Sequence, residues 1–61
     1  MNLAEKIIEY ENGNLTQEEV IELFQELYDT GIWRDLQGHY GRVMQAFIDI
    51  GVIKTSSTNL P

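Results

Sequence analysis

This chain has 61 residues and a net charge of −6, so it can form at most one small domain. It has no cysteine and only one histidine, which excludes disulfides and thiolate metal sites and leads us to expect no metal and no cofactor. No apolar run approaches the roughly 20 residues that span a bilayer, and the N-terminus does not resemble a signal peptide, so we expect a soluble intracellular protein without a membrane partner.

The negative charge is concentrated in the N-terminal half. Residues 1–31 hold eight acidic side chains and one lysine, a net charge of −7, whereas residues 32–61 carry +1. An acidic half disfavours nonspecific nucleic-acid binding, which needs cations to displace counterions from the phosphates. It favours a basic protein surface as the partner, or simply solubility.

The first helix is predicted over about 2–12. Asn2 can cap its N-terminus, and the Asn-Gly-Asn run at 12–14 tolerates left-handed backbone and ends it. Apolar residues at helical spacing predict one buried face, formed by Leu3, Ala4, Ile7 and Ile8.

The second helix is predicted over about 16–30. Thr16 and Glu19 have the spacing of a capping box, and Gly31 predicts a left-handed helix end. The predicted inward face consists of Val20, Leu23, Phe24 and Leu27.

The outer face of that helix carries an acidic row. Glu18, Glu22 and Glu26 are spaced four apart, and each like-charge pair costs roughly 0.2–0.5 kcal/mol. The row is either a solvated face that aids solubility or a functional surface that docks on a basic patch or mimics a nucleic-acid backbone. Its acids do not have the spacing of a calcium loop, so no metal site is predicted.

The third helix is predicted over about 33–50, with Gly51 as its stop. Residues 24–32 resemble residues 44–52 in apolar pattern and in the positions of Gln, Asp and Gly. Either two helices end by the same device or the segment is duplicated. The predicted inward residues are Leu36, Tyr40, Val43, Met44 and Phe47. The fold expected is therefore an all-α, three-helix domain over 1–53, with a disordered polar tail at 54–61.

Two glycines within the third helix need an explanation, because a glycine in a helix interior costs roughly 1 kcal/mol. Gly38 and Gly41 are three apart and lie on one helix face, so another helix, the first one by preference, could pack against them. Two alternatives are a groove for a partner's side chain and a phosphate-binding loop of the KH type. The KH class needs a βααβ frame and cations around the loop, and neither is evident.

An aromatic–arginine cluster surrounds the two glycines within ten positions. Trp, Tyr and Arg dominate the energetics of many interfaces, although Trp and Tyr in so small a chain also serve as core or cap residues. His39 has no evident nucleophile partner, so we expect no enzymatic activity. The candidate partner-binding residues of this cluster are Trp33, Arg34, His39, Tyr40 and Arg42.

The chain resembles a family of very short, uncharacterised proteins of tailed bacteriophages. The resemblance spans residues 11–52 and rests on the acidic helix at 17–27, the Asp-Thr-Gly at 29–31 and the Leu-Gln-Gly-x-Tyr-Gly-Arg motif at 36–42. It implies an accessory phage protein in the cytoplasm of a host bacterium.

The function expected from these observations is noncatalytic binding. The chain would bind a host bacterial protein, as an inhibitor or modulator of a defence or nucleic-acid enzyme, and would itself be a homo-oligomer. The alternative is a small nucleic-acid-binding regulator of helix-turn-helix type, with Gly31 in the turn. The acidic second helix makes nucleic acid the less favoured partner.

Overall fold

Three α-helices and one short 3-10 helix form the fold in the computed structural model, which describes residues 1–55. α1 spans Leu3–Glu11, α2 spans Gln17–Thr30, the 3-10 helix spans Ile32–Asp35, and α3 spans Gly38–Asp49. The predicted all-α, three-helix architecture is confirmed. Most of the predicted tail, residues 56–61, lies outside the described residues.

Capping boxes begin the first two helices. The Asn2 side chain accepts a hydrogen bond from the Glu5 N–H at 2.8 Å, and the Glu5 carboxylate accepts one from the Asn2 N–H at 3.2 Å. Thr16 and Glu19 make the same reciprocal pair at 3.2 and 2.8 Å. Each pair satisfies two backbone donors that would otherwise lack a helical partner, which fixes where α1 and α2 begin.

The end of α2 depends on a left-handed glycine. Gly31 has φ of 76°, and its N–H donates to the carbonyls of Leu27 and Tyr28 at 3.0 and 3.2 Å. The N–H of Ile32 contacts the Thr30 hydroxyl oxygen at 3.4 Å instead of reaching back to Leu27. The end is therefore the simpler left-handed cap and not the full Schellman motif, because Ile32 already begins the 3-10 helix.

The C-terminal cap of α3 also uses a left-handed glycine, Gly51, and has both hydrogen bonds of the Schellman motif. The N–H of Gly51 donates to Ile48, and the N–H of Val52 donates to Phe47, each at 3.1 Å, which is the Schellman pattern. In the last two turns before each glycine, a glutamine side-chain amide donates to an aspartate carboxylate at 3.0 Å. The pairs are Gln25 with Asp29 in α2 and Gln45 with Asp49 in α3. The sequence similarity between the two segments thus extends to their side-chain bonds.

The third helix begins at Gly38 and not near Trp33. One turn of 3-10 helix comes first, and then Leu36 (φ −97°, ψ 173°) and Gln37 (φ −60°, ψ 155°) are extended. Gly38 consequently lies in the first turn of α3, where a glycine costs less than in the interior. Only Gly41 occupies an interior position.

The core lies between α2 and α3 and is closed by one residue beyond α3. Its buried side chains are Leu23, Phe24, Leu27, Tyr40, Met44 and Ile53. Ile53, which is only 4 % exposed, comes from no helix and packs into the core. Val52 remains 38 % exposed.

The buried face of α1 differs from the expected one. Leu3, Ile7 and Tyr10 pack against the core, whereas Ala4 is exposed and Ile8 is 55 % exposed. The ring centroid of Tyr10 lies 5.3 Å from that of Phe24 in edge-to-face geometry. This aromatic contact turns α1 so that Ile8 points outward.

The chain after α3 is held against α2 by Gln25. Its side-chain amide donates to the Lys54 carbonyl at 2.9 Å, and its amide oxygen accepts from the Lys54 N–H at 2.8 Å. The backbone of Lys54 therefore belongs to the packed domain, one residue beyond the boundary that we placed at 53.

Candidate interaction surface

The indole of Trp33 fills the space beside Gly41. A Cβ atom at position 41 would lie 3.5 and 3.8 Å from two carbons of the half-buried Trp33 ring. The guanidinium carbon of Arg34 lies 5.6 Å from the centre of the same ring, which is cation–π geometry. The neighbour of Gly41 is thus an aromatic side chain from the 3-10 helix and not the backbone of α1.

Arg42 covers the other glycine. Its Nη1 would lie 3.8 Å from a Cβ atom at position 38, one turn earlier on α3. Arg34 and Arg42 are both exposed, and neither forms an ion pair within residues 1–55. We call the surface formed by Trp33, Arg34, Gly38, Gly41 and Arg42 the arginine face.

Tyr40 belongs to the core and not to a surface. It is 1 % exposed, its ring lies 5.9 Å from that of Phe24, and its hydroxyl donates to Oε2 of Glu11 at 2.6 Å. Burial, and then the hydrogen bond to the Glu11 carboxylate, raise the pKa of Tyr40. Its predicted direct contact with a partner is incompatible with this position, because the packing of α1 and α2 encloses it.

His39 lies on the side of α3 that faces α1. Its ring centroid is 4.1 Å from that of Tyr40 and 6.1 Å from that of Tyr10, and it is nearly parallel to the Tyr10 ring. His39 also lines an open cleft with Tyr10, Glu11 and Gln37. The sequence cluster therefore divides between the arginine face, the core and this cleft.

The acidic row on α2 is also divided. Glu18 and Glu22 are exposed, whereas Glu26 accepts a hydrogen bond from Nζ of Lys6 at 3.0 Å across the α1–α2 contact. Both side chains of this ion pair are more than one third exposed, so the pair stabilises the fold by about 1 kcal/mol at most. The sequence pattern on α2 alone could not reveal this cation, because it comes from α1.

An apolar surface with an acidic rim lies where α1 and α2 begin. Met1 is 69 % exposed and lines a cavity of about 70 Å³ together with Leu15, Leu23 and Lys6. Met1 also lines a shallow groove with Ile8. Glu19 and Glu22 border the cavity, and Glu5 and Glu9 border the groove.

We call this second surface the Met1 face. It comprises the apolar side chains Met1, Ile8 and Leu15 and the four bordering glutamates, Glu5, Glu9, Glu19 and Glu22. Sequence reasoning missed it because Ile8 was expected to point inward. The small side chain at position 4 was the available signal, because Ala4 adds little apolar area to the stripe that Ile8 would continue.

The side chains of the arginine face and the Met1 face are mostly apolar or charged. Within residues 1–55, no three His, Cys, Asp or Glu side chains are placed to share a metal ion. No helix in that part of the chain is long and apolar enough to cross a bilayer. Met1, Trp33, Arg34 and Arg42 instead offer contact area and charge to another molecule.

Comparison with curated proteins and with solved structures gave no match. A family model does match, over the full length of the chain, residues 1–61. The chain therefore belongs to the family described as "Domain of unknown function (DUF7417)".

Proposed function

We propose that this protein is a noncatalytic binding module whose partner is another protein. The observation that carries this proposal is the exposure of large aliphatic side chains on a very small domain: Met1 and Ile50 are each 69 % exposed, and Ile8 is 55 % exposed. Single exposed apolar residues are ordinary, but Met1 and Ile8 line the same groove. Covering such a patch with a partner is favourable, because it removes apolar surface from water.

The use of the polar side chains supports the same proposal. The Tyr40 hydroxyl is bonded to Glu11, and the Gln25 amide holds the backbone of Lys54. These groups stabilise the fold and are not free to act on a substrate. Arg34, which lies over the Trp33 ring, and Arg42, which covers Gly38, form no ion pair within the described part of the chain and can contact a partner.

The setting that we propose is a bacterium infected by a tailed phage. The basis for this setting is the Leu-Gln-Gly-x-Tyr-Gly-Arg motif at 36–42, through which the chain resembles small phage accessory proteins. The partner would then be a host protein in the bacterial cytoplasm, and binding would inhibit or modulate it. A defence enzyme or a nucleic-acid enzyme would fit this role.

We also propose that the protein self-associates. Ile50 and Val52 lie two positions apart at the C-terminal end of α3 and are 69 % and 38 % exposed. A twofold dimer could bury both. Sedimentation equilibrium at high micromolar concentration is expected to give a dimer that Ile50→Ser weakens. A strict monomer would exclude this part of the proposal.

Affinity capture from bacterial lysate tests the binding role. Two charge reversals are compared with the wild type: Arg34→Glu with Arg42→Glu, and Glu18→Lys with Glu22→Lys. Tyr40 and Glu26 are left unchanged, because one is buried and the other forms the ion pair with α1.

One of the two double variants is expected to lose a captured protein that the other retains. Circular dichroism would verify that both are folded. Empty capture patterns for all three proteins would contradict binding to a host protein, and a protein captured equally by all three would exclude both charged surfaces as its contact.

Nucleic-acid binding is the second candidate function. The observation in its favour is that Arg34 and Arg42 are both exposed near the start of α3, which follows α2 and a tight turn. The acidic charge of α2 opposes it. Binding to duplex DNA that strengthens as salt falls would favour this function, and no binding at about 50 mM salt would exclude it.

A further inference from the structure

We propose that the Met1 face binds the apolar side of a basic amphipathic helix supplied by a partner protein. The inference rests on the proposed role in protein binding and goes beyond it by naming the surface and the partner's chemistry. It requires an apolar strip flanked by Lys or Arg on the partner, which is the helix-in-groove mode of recognition.

The apolar part of the surface has the shape of a shallow seat for one or two side chains. Met1 lines both the 70 Å³ cavity, whose lining includes the buried Leu23, and the groove that Ile8 lines. A methionine side chain has three rotatable bonds and adapts its shape to different partners. A Leu or Ile from the partner can therefore fill the cavity while its neighbour one turn away covers Ile8.

The rim of the surface selects for positive charge. Glutamates border both depressions, and Lys6, the one cation among the lining residues besides the terminal amine, is engaged by Glu26. Lys or Arg side chains beside the apolar strip would meet these carboxylates. Complementary charge of this kind raises the association rate and excludes acidic partners.

A second copy of this chain is not the occupant that the charges favour. A twofold contact through the Met1 face would place the four bordering glutamates of one copy near the same four of the other. Like charges placed opposite one another across an interface are unfavourable. The partner must therefore bring the opposite charge to this face.

The test uses a synthetic amphipathic helix of Leu and Lys, with a Leu and Glu peptide of the same pattern as control. Titration calorimetry on the full chain compares two matched pairs of variants. Ile8→Ser is paired with Ile32→Ser, because both residues are exposed isoleucines in helical segments and Ile32 belongs to none of the proposed contact surfaces. Glu22→Gln is paired with Glu18→Gln, because both carboxylates are exposed on α2 and only Glu22 lines the cavity.

The Leu and Lys peptide is expected to bind the wild type, and the Leu and Glu peptide is not. Ile8→Ser should weaken binding about tenfold, and Glu22→Gln about two- to threefold. The two control variants should stay within about twofold of the wild type. Circular dichroism on each variant would verify folding, and amide chemical shifts of the wild type should move around residues 1–9 and 15–23.

Three results would overturn the inference: equal effects of Ile8→Ser and Ile32→Ser, no effect of Ile8→Ser, or shifts centred on α3. In each of them the peptide or the lysate partner could still bind elsewhere, so the general role in protein binding would survive. Failure of the lysate experiment, with peptide binding intact, would instead remove the proposed host partner and leave the Met1 face as a seat for basic helices.

Discussion

Replacing Tyr40 by phenylalanine isolates a single buried hydroxyl. The ring keeps its contacts with Phe24 and Tyr10, and only the 2.6 Å hydrogen bond to Glu11 is lost. A hydrogen bond to a charged acceptor contributes more than a neutral one, but the exposed Glu11 carboxylate regains water when the hydroxyl is removed. We therefore expect Tyr40→Phe to lower the free energy of unfolding by about 1–2 kcal/mol.

Thermal unfolding at neutral pH measures this change. For a domain of this size, 1 kcal/mol corresponds to roughly 4–8 °C in melting temperature, so a decrease of roughly 4–16 °C is expected. Tyr10→Phe is the matched control, because it removes a hydroxyl that has no hydrogen-bond partner within residues 1–55 and leaves a half-buried ring in place. It should change the melting temperature by no more than about 3 °C, the equivalent of roughly 0.5 kcal/mol.

The alkaline pH dependence provides a second readout for the same substitution. The pKa of Tyr40 is raised in the folded state, so its contribution is fully present below about pH 10, the ordinary value for tyrosine. Above that pH the unfolded state releases the proton while the folded state retains it, and stability falls by up to about 1.4 kcal/mol per pH unit. Tyr40→Phe lacks this component, so the two melting curves should converge as pH rises.

Equal melting temperatures for Tyr40→Phe and the wild type at neutral pH, with parallel decreases at alkaline pH, would refute this reasoning. The hydrogen bond to Glu11 would then contribute nothing measurable, and burial would not control the ionisation of Tyr40. Tyr40→Ala is not a substitute, because removing a buried aromatic ring costs roughly 3–5 kcal/mol and could unfold so small a domain.

Gln25→Ala is expected to lower the free energy of unfolding in urea by about 1–2 kcal/mol, because two hydrogen bonds to the Lys54 backbone are lost. The equivalent Gln45→Ala should lower it by less than about 0.5 kcal/mol. Equal losses would show that the bonds to Lys54 contribute nothing to stability. Gly41→Ala is expected to leave the free energy of unfolding unchanged or raise it by up to about 1 kcal/mol, because the new Cβ would meet the Trp33 ring at ordinary contact distance. Gly31→Ala should lower the free energy of unfolding by about 1 kcal/mol or more, because residue 31 has a positive φ. A large loss for Gly41→Ala would contradict the observed spacing. Lys6→Ala is expected to cost about 0.5 kcal/mol at low salt and less at high salt, measured by the melting temperature; no dependence on salt would argue against the ion pair with α2.

Local chemistry allowed the helix ends to be predicted, and long-range packing decided the rest. The capping box at Thr16 and the stop at Gly31 use only neighbours in the chain, so their residue types specify them. Nothing between Trp33 and Gln37 is a strong helix breaker, and the 3-10 turn there follows from how the Trp33 ring packs over α3. The sequence could not supply that contact.

The candidate surfaces show the same division. Exposed Arg34 and Arg42 follow from residue type alone. The burial of Tyr40 depends on Tyr10 and Glu11, which are about 30 positions away in the chain and whose approach no helical pattern encodes. For the same reason the outward position of Ile8, and with it the Met1 face, became visible only in the folded chain.

The two hydrogen bonds between the Gln25 side chain and the Lys54 backbone form a clamp that bears on the order of folding. α1 and α2 begin with capping boxes, all three helices are followed by a glycine of positive φ, and such contacts between near neighbours form within microseconds. Docking of the segment that holds Ile53 and Lys54 requires a loop of almost thirty residues to close, because the hydrogen bonds between Lys54 and Gln25 span 29 positions. We expect this docking to follow the main kinetic barrier, so that weakening the clamp would accelerate unfolding and leave the folding rate nearly unchanged.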